Sequence, residues 1–219
     1  MAIKIQGNAG VTAEVESASR SLLVSNTPRD WGTKGYYAAN GLTGTMTAGL
    51  AATSPIFSFR WTSTSVDAIV KRIIVSAWGT ATAFVGGNVN IKLFPARSFT
   101  ASDSSGTALT VSGDNQKLRT SFATTAVGDI RVAAAGTLIA GTRTVDANAI
   151  ACVATVVSSG TWPSLIPSNT VLWEREQGQN YPLLLKGNEG FLVTATVPGT
   201  GTWLGSVTTE WFESTGYTP

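Results

Sequence analysis

Apolar and polar residues alternate most cleanly toward the end of the chain. Phe191, Val193, Ala195 and Val197 alternate with Leu192, Thr194 and Thr196. Beyond Pro198, Gly199, Thr200 and Gly201 the pattern resumes, with Trp203, Gly205, Val207, Thr209 and Trp211 on one side. Successive side chains of a strand point to opposite faces, so each half reads as a strand with one apolar face. Pro198 presets φ and the two glycines can take positive φ, so the spacing predicts a β-hairpin. Its core residues are Phe191, Val193, Val197, Trp203, Val207 and Trp211. Burying each large side chain is worth about 1.5–3 kcal/mol, but a lone hairpin is marginal in water. The rest of the chain is therefore expected to supply an opposing sheet.

The same period of two recurs upstream. Ile56, Ser58 and Arg60 alternate with Phe57, Phe59 and Trp61, and residues 88–94 alternate until Pro95. Residues 68–78 fit a helix or a strand by apolar spacing; the β-branched Ile69, Val70, Ile73, Ile74 and Val75 favour strand. Val127, Ile130 and Val132 lie about Gly128 and Asp129, and residues 137–143 and 150–157 are two further strand candidates; residues 171–176 run to a break at Gly178, and residues 181–185 lead into the final hairpin. Residues 114–119 read as a short helix or turn, and residues 162–167 as a loop. Residues 28–54 show little periodicity and read as a long connection.

At the start, Ile3 and Ile5 alternate with Lys4 and Gln6, and Val11, Ala13 and Val15 with Thr12 and Glu14. This part is too sparse in bulky residues to fold alone. Residues 1–27 are therefore expected to form an arm or short hairpin that contacts the body or a neighbouring subunit through Ile3, Ile5, Val11, Val15, Leu22 and Leu23. Residues 28–219 are expected to form a single domain. Many strands between Gly, Pro, Ser and Asn clusters, with no long amphipathic helix, predict an all-β protein: an antiparallel β-sandwich of jelly-roll type with an extended N-terminal arm.

Composition narrows the chemistry. Charged residues make up 13% of the 219, about half the usual share, and the net charge is +2 with no basic run. A nucleic-acid groove needs clustered Lys and Arg, so no nucleic-acid partner is expected. The chain has no histidine, which removes Ser-His-Asp and Cys-His nucleophiles and His-ligated zinc. Neither a P-loop nor a dinucleotide fingerprint occurs, so no cofactor or metal is expected. No apolar run is long enough for a membrane helix, and residues 1–6 lack the apolar region of a signal peptide; the protein is expected to be made and kept in a cytoplasm. The single cysteine, Cys152, lies in an apolar run and is expected to be buried and inert.

Carboxylate-pair chemistry is the one enzymatic route left open. Glu174 and Glu176 would share a face if extended, but a solvated edge with Arg175 between them is the preferred reading. Glu210 and Glu213 are read likewise, as charges on the outer face of a terminal strand that discourage edge pairing. Asp103, Ser104 and Ser105 offer too few oxygen ligands for a hard cation and read as a turn. Trp31, Tyr36, Tyr37, Trp162 and Trp173 fall near predicted loops. They read as interface or core aromatics in preference to a glycan-stacking platform.

Three stretches in order resemble virion structural proteins of tailed bacteriophages. They are the opening residues 1–7 with 13–15; residues 56–61 and 72–75 leading to 97–103, 116–120, 128–131 and 140–144; and residues 182–185 and 188–193 with Gly201, Thr202, Trp203, Glu210 and Trp211. The likeness spans nearly the whole chain, and it is the order of the motifs that carries it. The resemblance implies a non-enzymatic virion component, first a cement or decoration protein that binds the major capsid protein and its own copies, a trimer being one arrangement. The alternative it leaves is a neck, tail or fibre module that binds host-surface glycan. Either would reside in the virion, assembled in the host bacterial cytoplasm.

Overall fold

A computed structural model describes residues 34–50, 54–161, 164–175 and 182–215. Within them the chain forms strands and no helix: β1 (Gly35–Leu42), β2 (Met46–Thr47), β3 (Pro55–Trp61), β4 (Asp67–Gly79), β5 (Gly87–Phe99), β6 (Gly106–Ala108), β7 (Val127–Ala133), β8 (Arg143–Val145), β9 (Ala151–Val157), β10 (Ile166–Glu174), β11 (Leu183–Leu185), β12 (Glu189–Thr196) and β13 (Thr202–Ser214). A six-stranded sheet runs β1-β13-β4-β10, with β2 also on β13 and β11 also on β4. A seven-stranded sheet runs β6-β7-β3-β12-β5-β8, with β9 also on β5. All the pairings are antiparallel. The two sheets pack face to face as a sandwich.

Phe191, Val193, Val197, Trp203, Val207 and Trp211 are all buried, but β12 and β13 are not a hairpin. β12 pairs with β3 and β5, and β13 with β1, β2 and β4. Residues 197–201 thus carry the chain from one sheet to the other, and the two apolar faces meet across the core. An aromatic column joins the layers. The Phe59 ring stacks on Phe191 at 5.0 Å within one sheet and meets Trp211 of the other edge-on at 5.1 Å, and Trp211 stacks on Tyr37 at 5.6 Å. Edge-to-face and offset pairs add to the burial of the rings.

Other expectations are corrected. The 28–54 connection contains β1, whose inward large side chain is Tyr37; small residues at Gly35, Ala39 and Gly41 hide the alternation. A Cβ at Gly41 would stand 3.2 Å from the Phe57 ring. The strand predicted to stop at Pro95 continues to Phe99. Pro95 lacks an N–H, yet it sits between the end of β8 and the start of β9, where its carbonyl accepts from Asp146 N at 3.0 Å and no donor is required. Residues 137–142 are irregular, because Leu138 alone is buried there while Ile139 is exposed. Cys152 is exposed, not buried: β9 is an edge strand and Cys152 lies with Lys92 of β5 on its outer side.

Candidate contact surface

The outer face of the six-stranded sheet can be read row by row from its register. One row is Leu42–Ser206–Ser76; the next is Asn40–Thr208–Ile74–Val171; then Ala38–Glu210–Arg72–Glu174; and finally Tyr36–Phe212–Ile69–Leu184. Leu204 pairs with Trp78 at one end of the face. Leu42 is 53% exposed and Val171 42%, while Ile74, Trp78 and Leu204 are half-buried. Between them lie small hydroxyl residues, and the Asn40 amide donates to Ser206 Oγ at 3.0 Å and Thr208 Oγ1 at 2.6 Å. The result is a surface that is apolar and weakly polar at one end.

The third row is an ion cluster. Arg72 Nη2 donates to Glu210 Oε1 at 2.9 Å, Arg72 Nη1 lies 4.0 Å from Glu174, and Lys71 Nζ lies 3.8 Å from Glu210 Oε2. The Tyr36 hydroxyl donates to Glu210 Oε2, and its ring stacks on Phe212 at 4.3 Å with Lys71 Nζ over it at 5.3 Å. Burial works against the charge on Glu210, but the hydrogen bonds from Tyr36 and Arg72 outweigh it and hold the carboxyl below its usual range. Burial and the same hydrogen bond push the Tyr36 phenol upward. Glu210 therefore stays ionised as a fixed acceptor. It does not lie on an edge strand, as expected from the sequence, because β1 flanks β13 on one side and β4 on the other.

Two further carboxylates depart from their expected surroundings. Glu213, read as a solvated charge, is 0% exposed. It accepts from the Thr125 hydroxyl, from Ala126 N–H at 3.1 Å and from Trp211 Nε1 at 3.1 Å, and burial pushes its carboxyl upward. Asp103, read as a turn residue, is buried in an ion pair with Arg143 and accepts from Gly141 N–H at 2.9 Å. The Arg143 guanidinium lies 5.6 Å from the Phe99 ring centre, and burial lowers its pKa. Alternation could have found Glu213, since it continues the inward parity of Trp203 to Trp211. The partners of Asp103 and Arg72 are remote in the chain and leave no local signal.

Of the candidate aromatics, Tyr37 is a core residue whose hydroxyl donates to Ala123 O at 2.9 Å. Tyr36 and Trp173 lie on strands, not loops: Tyr36 on the outer face and Trp173 on β10, half-buried against the core. Trp31 and Trp162 lie outside the described residues, as do Glu176 and the arm candidates Ile3, Ile5, Val11, Val15, Leu22 and Leu23. Among the described residues no group of three or more His, Cys, Asp or Glu could hold a metal ion, and no helix is long and apolar enough to cross a membrane. No protein family, curated protein or solved structure matches the chain.

Proposed function

We propose that the protein is a non-enzymatic structural component of a tailed-bacteriophage virion, in first place a cement or decoration protein of the capsid. The outer face of the six-stranded sheet carries this reading. Leu42, Val171, Trp78, Ile74 and Leu204 offer apolar area among small hydroxyl side chains, which loses little on desolvation and suits a protein contact. Glu210 is tied to Arg72 and Tyr36, an arrangement that braces the sheet and does not present a proton donor. Many weak contacts repeated by symmetry would then hold each copy in place.

Within this proposal the sandwich is of jelly-roll type. Residues 1–27 act as an arm toward the major capsid protein or a sister copy, and the protein is a homo-oligomer of the virion without cofactor, nucleic acid or membrane. Counting copies on purified particles by electron cryo-microscopy tests the assignment. A capsid clamp should number on the order of hundreds. A few copies at the neck or tail would favour the module that binds host glycan, and no association with particles would overturn the proposal. Deleting residues 1–25 should leave a folded body that no longer stays on particles; unchanged occupancy would refute the arm.

A further inference from the structure

The edges of the two sheets are not treated alike. β1 is covered: Ala38 N–H donates to Gln116 O at 2.9 Å and Leu118 N–H to Tyr36 O at 3.2 Å. β10 is broken by two register shifts, contains Pro167 and takes a φ of 61° at Asn169. β6 and β8 have three residues each. β9 has none of these devices. Its seven residues keep one continuous register with β5, pair with no second strand among the described residues, and include no proline and no charge.

Open backbone N–H and C=O groups recruit another strand, which is why sheet edges are normally bulged, charged, shortened or covered. The side chains of β9 tell the same story. Val156 is 75% exposed on the outer side, and on the inner side Ala151 and Val153 touch the core yet remain half-buried. The strand has the features of one whose neighbour is still to come.

We propose that β9 accepts a strand from a second copy of this chain, formed by residues 11–15. The proposal rests on the arm reading above. Val11, Ala13 and Val15 would continue the cover over Ala151 and Val153, while Thr12 and Glu14 would stand on the outer side with Cys152, adding a strand through backbone hydrogen bonds. The described body begins at Lys34, whose N–H donates to Glu213 O at 3.1 Å beside β1. β1 approaches β7 at one flank of the sandwich, and β9 approaches β10 at the other. The described body thus begins beside β1, at the edge opposite β9, and a head-to-tail array sets the β1 edge of one copy beside the β9 edge of the next. Residues 16–33 can span on the order of 60 Å when extended, ample for that crossing.

The test uses two full-length purified chains carrying different affinity tags. One has Thr12→Cys with Cys152→Ser; the other keeps the native Cys152, the sole cysteine of the sequence. Each then holds one thiol, so a short bismaleimide can join the two tags only by a contact between copies. The expected yield is about tenfold above that of Ala13→Cys with Cys152→Ser, whose thiol would point to the opposite face. An excess of a synthetic peptide of residues 1–25 should abolish the product. No joined product, or equal yields from positions 12 and 13, would each overturn the proposal. Particle occupancy of the chain lacking residues 1–25 judges the arm separately: lost occupancy without cross-linking would retire β9 as the acceptor and keep the arm.

Discussion

The Thr125 hydroxyl donates a hydrogen bond to the Glu213 carboxylate, 88 residues further along the chain, at a position with no solvent exposure. With Ala126 N–H and Trp211 Nε1 on the same carboxylate, Glu213 pins the loop before β7 to the end of β13. Burial raises its pKa despite those donors and the nearby charge of Lys34. A carboxyl whose pKa is raised by folding adds stability below its unfolded value, near 4.3, and loses it as pH rises through the folded value.

Glu213→Gln imitates the protonated acid. Urea titrations across pH should show the wild type losing stability relative to this variant as pH rises above about 4. A pH-independent difference would mean that Glu213 does not titrate differently on folding. Glu213→Ala strands buried donors and should cost about 1–3 kcal/mol.

Trp211 joins the layers through Phe59 and stacks on Tyr37 within its own sheet. Trp211→Ala should cost about 3–5 kcal/mol, and Phe59→Ala a similar amount. Because the two rings touch, the double variant should cost less than the sum, as read by denaturant midpoints at constant m-value.

The crossing between the sheets depends on Gly201, which has a φ of 112° and where a Cβ would stand 2.7 Å from the Phe84 ring. Gly201→Ala should therefore cost about 1–3 kcal/mol. Gly199 has open space around its Cβ position, so Gly199→Ala should stay within about 0.5 kcal/mol. Comparable melting shifts in the two variants would contradict this account of the turn.

Arg143→Met leaves Asp103 buried without its cation. A loss of about 3–5 kcal/mol is expected. Adding Asp103→Asn should recover part of it, since the stranded charge causes most of the cost; a double variant no more stable than the single would argue against that cause.

On the outer face, Leu42→Asp and Val171→Asp remove exposed apolar area. Each should leave the denaturation midpoint within about 0.5 kcal/mol of wild type. Combined, they should lower particle occupancy about tenfold, corresponding to about 1.4 kcal/mol of contact. Full occupancy would move the contact to another face.

Much of the fold was legible in local pattern. The run from Trp203 to Trp211 shows its buried side by parity alone, because a strand's side-chain period is fixed by its backbone, whereas in β3 Ile56 and Ser58 are buried along with Phe57, Phe59 and Trp61. The same parity pointed Glu213 inward; its charge argued the other way, and only the donors from Thr125, Ala126 and Trp211 make that burial tolerable. β1 was hidden because close packing against Phe57 requires glycine at position 41, where a larger apolar residue would have signalled a strand.

Alternation along the chain thus settled that this is a β protein and which side of its main strands is apolar, since both follow from residues two apart. Partner choice was decided by the folded whole. Pro198 to Gly201 could equally end a hairpin or bridge two sheets, and the outcome follows from β12 finding β3 and β5 while β13 finds β1 and β4. Those hydrogen bonds, like the meeting of Arg72 with Glu210 and of Asp103 with Arg143, join positions far apart in the chain, where no short-range pattern can encode them.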